Sequence, residues 1–412
     1  MSTPIDECIT PGLKPIDETI REMLDSIDSL DRLKDISVES AVDRIIASPI
    51  ESKFNFPPWP ASAMDGYAFK FTEDLKQFHI VGSALAGHPF DGQINPGECI
   101  RITTGAPLPT GCDTVEMQEN CEVNDSFITL KGLVTQGQHV RQIGSSISAG
   151  QVILDAGIKL GPKELAIISS SGIDTVTVYE PLRVAIFTTG DELSAPGIPL
   201  EPGKIYDSNR LTMLTMCKRM GFEVLDYGLV ADDPEAIESV MLAAAEKADV
   251  LMTSGGVSVG DADYIKPILE KIGELTIWKV AIKPGKPIAI GSIGDCRFFG
   301  LPGNPVSTIV TLNKLVQPAL QKLAGQEVQT PTQISAICHD NLRKAPGRRD
   351  YQRGVANTDD DGNWQVKSTG PQGSGRLVSV VEANCYIVLE PECSGVTAGE
   401  RVTIELFDQT LS

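Results

Sequence analysis

The residues best suited to chemistry lie in three turns, at residues 253–264, 283–287 and 301–307, and the first directly follows an apolar run. The first turn combines glycines with hydroxyl and carboxylate side chains. Glycine lets backbone N–H groups approach a phosphate, and aspartates can hold a divalent cation. The second turn fixes Lys283 and Lys286 on a proline-stiffened backbone. Together the turns predict a site for a nucleotide and a small oxyanion.

Alternating strand and helix patterns over residues 182–330 must position these turns. An apolar run at 183–187 ends in the polar turn 188–192, and a helix is expected to follow Pro305 to about Ala324. Such alternation favours a doubly wound α/β domain with a parallel sheet. The turns at 188–192, 253–263 and 301–307 are then expected to share one sheet edge.

Two further helix starts are predicted inside this domain. Ser208 is placed to cap a helix that runs through Arg219, and Asp233 with the following proline and glutamate predicts another. The same capping context applies to Asp232, although its position beside the sheet edge also suits a functional role.

The rest of the chain predicts an α/β plus β, multidomain protein. Residues 15–51 and 151–181 form a linking domain, with helices expected over 15–49 and from Pro162. Residues 52–150 are a β-rich inserted domain, and residues 331–412 a C-terminal β domain with a hairpin turn at 360–363. Residues 1–14 are a candidate addition to the α/β domain of residues 182–330.

Composition excludes several classes of protein. A net charge of −20 over 412 residues disfavours binding to nucleic acid or an anionic membrane, so local cations must capture any anionic ligand. The sequence shows no secretory signal and no apolar run near the ~18 residues of a membrane span, which predicts a cytoplasmic location. Nine cysteines without a CxxC pair and four scattered histidines do not predict a disulfide framework or a histidine-rich zinc site.

Carboxylates in two of the turns are candidate metal ligands. Asp191 and Glu192 follow the first strand of the α/β domain, and Asp261 and Asp263 lie in the glycine-rich turn. Magnesium prefers such oxygen ligands and keeps bound waters. The alternative is that some of these side chains only cap helices.

Six segments carry a resemblance to a known family. Residues 62–68, 103–107, 188–193, 254–264, 283–287 and 300–307, in this order, resemble the molybdopterin molybdenumtransferases (the MoeA family), which are related to the gephyrin E domain. The resemblance spans nearly the whole chain. It implies an elongated homodimer of multidomain subunits that have a molybdopterin-binding α/β domain and a C-terminal β-barrel-like domain.

The resemblance also implies a reaction, the last step of molybdenum cofactor biosynthesis. Adenylylated molybdopterin and molybdate are the substrates, the metal joins the dithiolene, and AMP leaves. Mg²⁺ is the expected cofactor, with Zn²⁺ as the alternative. Molybdopterin adenylyltransferase and molybdoenzyme chaperones are the implied protein partners.

Site residues follow from the motifs and from the resemblance. The predicted catalytic residues are Asp65, Thr104, Asp191, Glu192 and Asp261, of which Asp191, Glu192 and Asp261 are also the predicted metal ligands. The predicted cofactor-binding and substrate-binding residues are Ser254, Gly255, Gly256, Ser258, Asp263, Lys283, Lys286, Pro302, Gly303, Asn304, Ser307, Arg348 and Ser374. The resemblance implies that Asp65 and Thr104 reach the active cleft and that, because the dimer is extended, this cleft combines the α/β domain of one subunit with domains of the other.

The chain departs from the family pattern at two places, and two other functions stay open. Ser145 and Ser146 stand where acidic residues are usual, and Pro60 and Ala61 stand where an Asp-Asn pair is common. One alternative is a molybdopterin adenylyltransferase, which uses a related fold. The other is a non-catalytic molybdopterin-binding scaffold.

Overall fold

The computed structural model describes residues 13–257 and 264–412 and contains two units. The inserted unit is Lys34–Val178, and the main unit comprises the described residues up to Leu33 together with Tyr179–Ser412. Each unit has its own buried hydrophobic clusters. Within the described residues, no helix is long and apolar enough to cross a membrane.

The first helix is shorter than the sequence predicts. α1 (Ile16–Asp25) ends where Ser26 N–H donates to Glu22 O, and Lys322 Nζ donates to Leu24 O at the same end. The expectation of helix as far as residue 49 is wrong, because a strand follows α1 at 33–37 and a 3₁₀ turn at 38–40. Ile46 instead bridges to Val178 and is fully buried, so pairing between distant segments overrides the local apolar spacing.

The inserted unit is mostly β, and its helix α2 (Pro162–Ser170) begins at the predicted proline. Tyr67 and Phe69 pack on one face of its sheet and Ala68 on the other, as the alternation of side chains along a strand requires. Among the described residues the six-stranded sheet of this unit has the order β7-β4-β6-β5-β9-β8. Strands that begin in or belong to this part of the chain are β1 (Leu33–Ser37), β2 (Ile50–Glu51), β3 (Ala61–Ser62), β4 (Gly66–Phe69), β5 (Gln77–Ala84), β6 (Glu98–Ile102), β7 (Thr114–Met117), β8 (Cys121–Asn124), β9 (Phe127–Leu130), β10 (Val140–Arg141), β11 (Val152–Leu154) and β12 (Thr175–Tyr179).

The main unit contains the predicted parallel sheet with helices packed on it. Its strands are β13 (Arg183–Thr189), β14 (Leu193–Ser194), β15 (Ile205–Tyr206), β16 (Glu223–Val230), β17 (Val250–Ser254), β18 (Glu274–Lys279), β19 (Ile282–Lys283), β20 (Pro287–Ile293) and β21 (Cys296–Leu301). Six of these strands, within the described residues, form a sheet of order β16-β13-β17-β21-β20-β18. The first four run parallel, and β20 and β18 are antiparallel to their neighbours.

Helix starts in the main unit agree with the sequence. The helices are α3 (Asn209–Arg219), α4 (Pro234–Ala245), α5 (Ile265–Ile272), α6 (Pro305–Thr311) and α7 (Gln317–Leu323), with a π-helical turn (Leu312–Val316) between the last two. Asp233 caps α4 by accepting from Ala236 N–H at 2.9 Å, as predicted. α3 begins after Ser208 as predicted, but the prediction that the Ser208 side chain caps it is wrong, because the Arg210 N–H donates instead to the Asp207 carboxylate at 3.1 Å.

The C-terminal part is a closed barrel, which confirms the predicted barrel-like domain. Its elements are β22 (Gln333–Cys338), β23 (Leu342–Arg343), β24 (Arg349–Thr358), β25 (Trp364–Ser368), α8 (Val378–Val381), β26 (Cys385–Leu389), β27 (Gly395–Val396) and β28 (Arg401–Leu406). Strands β24, β25, β22, β28 and β26 form a ring that the pairing of β26 with β24 closes. The predicted turn at 360–363 joins the antiparallel strands β24 and β25.

Candidate functional site

The ends of three neighbouring parallel strands bring the predicted turns together. Thr188 at the end of β13 is in register with Ser254 of β17, and Ser254 is in register with Leu301 of β21. Parallel strands end at the same edge of a sheet, which is where open α/β sheets bind ligands. For the described residues, the prediction that turns 188–192, 253–257 and 301–307 share one edge is therefore confirmed.

Gly255 allows these turns to approach each other closely. Its φ is +99°, and a Cβ atom at this position would lie 2.2 Å from Thr189 O. Its N–H donates to Leu301 O at 3.3 Å, and a Cβ atom on Gly303 would lie 3.9 Å from Gly255 Cα. Only glycine fits here, because a Cβ atom would overlap Thr189 O; that the glycines let N–H groups approach a phosphate stays a prediction. Gly256 also has a positive φ, whereas Ser258, Asp261 and Asp263 lie outside the described residues.

A buried amide that the sequence analysis missed joins two of the turns. Asn209 Nδ2, at the start of α3, donates to Ser254 Oγ at 2.8 Å and to Gly303 O at 2.7 Å. Ser254 Oγ in turn donates to Pro302 O at 2.9 Å. Asn304 is the residue immediately before α6. The predicted residues Ser254, Pro302, Gly303 and Asn304 are thus adjacent.

The two carboxylates of the turn at 188–192 are exposed, and a nearby carboxylate is hydrogen-bonded to the sheet. Asp191 O accepts from Lys204 Nζ, and Glu192 O accepts from Ile205 N–H at 2.7 Å, so the turn backbone is held while both carboxylates face solvent. Asp232 accepts from Thr189 Oγ1 at 3.0 Å and therefore lies at the same edge. Over residues 13–257 and 264–412, no group of three or more His, Cys, Asp or Glu side chains is arranged to hold a metal ion.

The lysine turn packs against the helix that follows the third turn. Lys283 Nζ is 3.0 Å from the buried Asp350 carboxylate, which orients the half-exposed ammonium group. A Cβ atom on Gly285 would lie 2.4 Å from Thr311 Cγ2 and 3.6 Å from Ser307 O. The structure therefore brings the turn of Lys283 and Lys286 next to Ser307.

Two loops of the barrel supply the remaining predicted residues. Ser374 O accepts from Val306 N–H at 3.0 Å, so Ser374 lies beside the start of α6 and Ser307. Arg348 precedes β24 and is half-buried, and its Nε has no hydrogen-bond partner among the described residues.

A second arginine of the barrel was not predicted from the sequence. Arg353 in β24 is fully buried, its Nε donates to Ser379 Oγ at 3.2 Å, and its Nη2 has no partner within the described ranges. Burial lowers the pKa of this guanidinium. A strand arginine resembles any solvated surface charge in sequence, so no local signal marks it as buried.

Asp65 and Thr104 contact each other in the inserted unit. The Thr104 N–H and hydroxyl both donate to Asp65 Oδ1, at 2.7 and 2.9 Å. These hydrogen bonds, the backbone one first, lower the pKa of Asp65 below its usual range. Thr104, which is 39 positions away in sequence, thus stabilises the ionised form of the Asp65 carboxylate.

A groove of about 1180 Å³ lies between α3 and the barrel, away from these residues. Its walls include Thr215, Arg219, Trp364 and Phe407, and none of the predicted ligand-binding residues lines it. We therefore place the candidate site at the sheet edge.

Comparison with family models gives three consecutive matches. Residues 14–172 match the "MoeA N-terminal region (domain I and II)", residues 185–322 a "Probable molybdopterin binding domain", and residues 335–407 the "MoeA C-terminal region (domain IV)". The second match contains the turns at 188–192, 253–257 and 301–307, and the third contains Arg348, Arg353 and Ser374.

Similar proteins cover almost the same length. A molybdopterin molybdenumtransferase of Haemophilus influenzae is 43% identical over 401 residues, which are 96% of this chain and 99% of that one. A molybdopterin molybdenumtransferase of Nostoc sp. is 33% identical and covers 96% of this chain and 93% of its own length. The crystal structure of the molybdopterin biosynthesis moeA protein from Pyrococcus horikoshii OT3 matches with a TM-score of 0.83 at 27% identity, over 96% of this chain and 100% of that one. The chain therefore belongs to the molybdopterin molybdenumtransferase (MoeA) family of transferases.

Proposed function

We propose that this protein inserts molybdenum into adenylylated molybdopterin, with molybdate as the metal source and AMP as the leaving group. The observation that carries the proposal is the convergence of the glycine turn, the lysine turn and Ser307 at one sheet edge. One part of this edge offers backbone groups and another offers cations, and the two substrates require these two kinds of group. Membership of the MoeA family supports the same assignment.

In this proposal the turn at Ser254, Gly255 and Gly256 receives the nucleotide phosphates. Gly255 and Gly256 have positive φ and no side chains that would block a phosphate from this backbone, and the Gly255 N–H itself is used in a hydrogen bond to Leu301 O. Pro302, Gly303 and Asn304 form the adjoining wall through the hydrogen bonds of Asn209 and Ser254. Ser258 and Asp263 complete the predicted set.

Molybdate binds to the lysine turn in the same proposal. A lysine ammonium group has three donors, so Lys283 keeps two for an anion after it pairs with Asp350. Lys286, Ser307, Ser374 and Arg348 are the further predicted ligands, and arginine supplies a planar fork for an oxyanion.

We propose Mg²⁺ as the assisting ion, held by Asp191, Glu192 and Asp261. Magnesium is commonly bound by one or two carboxylates together with substrate phosphates, which suits the two exposed carboxylates of the described turn. When bound, the ion would neutralise charge on the pyrophosphate.

Asp65 and Thr104 are proposed to act in catalysis, and the protein to act as a cytoplasmic homodimer. The ionised carboxylate of Asp65, held by Thr104, is suited to orient a proton donor or water. Light scattering of the purified protein tests the dimer, and a monomer that is fully active would contradict it.

The decisive experiment measures AMP release from adenylylated molybdopterin with and without molybdate. The proposal requires release that depends on molybdate. Pyrophosphate release from ATP and free molybdopterin would instead indicate an adenylyltransferase. Binding of adenylylated molybdopterin without turnover would indicate a scaffold.

A further inference from the structure

We propose that Asn209 is a positioning residue, which holds the Ser254–Gly256 backbone and the Pro302–Asn304 backbone at the separation needed for the nucleotide part of the substrate. This inference rests on the proposed function, because it concerns the geometry of the nucleotide site. Asn209 itself belongs to neither turn. It reaches both of them from the start of α3.

The donor and acceptor of each hydrogen bond around Asn209 can be assigned from its partner. Gly303 O can only accept, so the Asn209 atom facing it at 2.7 Å must be the Nδ2 donor. The Ser254 hydroxyl gives its single hydrogen to Pro302 O, so toward Asn209 it acts as an acceptor. Pro302 O also accepts from Thr308 Oγ1 at 2.6 Å. The amide therefore begins a chain of donors that ends on the backbone of the third turn.

Burial makes these hydrogen bonds important for geometry. Asn209 is 8% exposed and Ser254 1%, so water cannot replace a lost donor easily. Asn209 Oδ1 is also buried and has no hydrogen-bond partner among the described residues. The amide thus uses its donors on the two turns and keeps an acceptor for a bound donor or a water molecule.

Asp207, two residues before Asn209, connects the same segment to the end of β13. Thr188 Oγ1 donates to Asp207 at 2.5 Å, so the segment 207–209 contacts the ends of β13, β17 and β21. Ser208 lies between the two and makes no side-chain capping hydrogen bond. Ser208→Ala is therefore a matched control at the adjacent position.

The test compares Asn209→Asp with Asn209→Ala across pH. The aspartate has nearly the same shape, but when it is ionised it has no donor for Gly303 O or Ser254 Oγ. When it is protonated it regains one donor, and burial beside carbonyl groups favours the protonated form. Alanine has no donor at any pH.

At about pH 8 the aspartate is ionised even if burial raises its ordinary pKa of about 4 by about two units, so both variants are expected to raise KM for adenylylated molybdopterin about tenfold or more, with a smaller change in kcat. The ratio of Asn209→Asp activity to wild-type activity should rise as the pH falls toward about 5.5, while the Asn209→Ala ratio stays flat. Ser208→Ala should stay within about twofold of wild type, because no side-chain hydrogen bond is lost. A purely structural residue would lower the melting temperature without this pH-dependent recovery.

AMP binding by calorimetry separates this inference from the proposed function. If wild-type protein binds AMP but shows no molybdate-dependent release, the proposed function fails, and the same pH comparison on AMP affinity still tests Asn209. Unchanged KM and AMP affinity in both variants, or equal recovery of both at low pH, would overturn the inference.

Discussion

The lysine turn contains one ammonium group that is held by a buried ion pair. Lys283 is paired with the buried Asp350 carboxylate, which in turn accepts from Gln352 Nε2 at 3.1 Å. Lys286 lies in the same turn, half-buried, and its backbone carbonyl accepts from Val280 N–H. Replacement of Lys283 would leave the buried Asp350 carboxylate without this cation, which would add a stability effect to any effect on anion binding.

We expect Lys286→Ala to raise the KM for molybdate about tenfold, which corresponds to about 1.4 kcal/mol, and to leave AMP affinity nearly unchanged. Removing one cation weakens the attraction for a dianion but does not touch the glycine turn. Steady-state kinetics with varied molybdate and calorimetry with AMP measure the two effects. Lys271→Ala on α5 is the control, because Lys271 pairs with Glu238 on the helix surface. Equal loss of both affinities in Lys286→Ala would contradict the separate roles.

Residue types could be predicted from sequence wherever the chemistry was local. Glycines, paired lysines and carboxylates in short turns indicate an anion site without any knowledge of distant contacts. Asn209 could not be identified in this way, because its partners Ser254 and Gly303 are 45 and 94 positions away. An Asp-Ser-Asn string before a helix has the same appearance whether it caps the helix or joins two distant turns.

At the scale of elements, the opposite end of the parallel sheet is held by an ion-pair network. Asp249 accepts two hydrogen bonds from Arg32, at 2.7 and 2.6 Å, and one from Arg183 Nη2 at 3.0 Å. Its carboxylate also accepts from Arg183 N–H at 2.8 Å. Burial raises the pKa of Asp249, but the hydrogen bonds from Arg32 and Arg183 outweigh it and bring the pKa to about 2.

This network should make stability depend on pH below about 5. The pKa of aspartate in the unfolded state is about 3.9, which is higher than the pKa of Asp249 in the folded state. The unfolded state therefore binds the proton first as pH falls. The resulting stabilisation of about 2 kcal/mol is fully present at pH values above the unfolded-state pKa. It is lost as the pH decreases from about 4 through about 2. Asp249→Asn should remove this part of the slope and lower the free energy of unfolding at neutral pH. Urea unfolding of both proteins from pH 2 to 7 measures the difference, and parallel curves would contradict the prediction.

The lysine turn depends on glycine for its contact with α6. Gly285 has φ of +114°, and an added Cβ would lie 2.4 Å from Thr311 Cγ2. Gly285→Ala is therefore expected to destabilise the protein by about 2–4 kcal/mol through backbone strain and steric overlap, and to raise the KM for molybdate. Thermal unfolding and kinetics measure the two effects. Gly132→Ala is the matched control, since a Cβ there meets nothing within 4 Å. Similar losses in both variants would show that the effect is not specific to the turn.

Elements with strong local signals were predicted well, and those determined by distant pairing were not. The N-cap of α4 and the first-position prolines of α2 and α6 are local signals, because the residues that determine each helix start are adjacent in sequence. Residues 33–37 instead form β1, paired with β12, although their neighbours have helical apolar spacing. A strand whose partner lies about 140 positions later leaves no reliable trace in a local window.

At the scale of the whole molecule, the inserted unit begins and ends in paired strands. Its limits, Lys34 and Val178, lie in β1 and β12, which form a two-stranded sheet. The unit also buries clusters of its own around Ile46, Phe78 and Ile100.

We expect residues 34–178 to fold when expressed alone, because the unit has a normal domain size and its own cores. Circular dichroism should show one cooperative thermal transition. NMR should show the Asp65 carboxylate with its pKa below the usual range, since both Thr104 donors are in the same unit. A Thr104→Val version serves as the control, in which the side-chain donor is lost and this pKa rises. Absence of a cooperative transition would contradict independent folding.

The strand that carries Lys283 has hydrogen bonds to the barrel. Ile282 and Lys283 of β19 are in register with Arg349 and Asp350 of β24, while β20, three residues further on, belongs to the α/β sheet. The position of the Lys283 ammonium group is therefore determined by the barrel as well as by the α/β sheet. A substitution in the barrel can therefore change where the Lys283 ammonium group lies without altering the sequence of any of the turns.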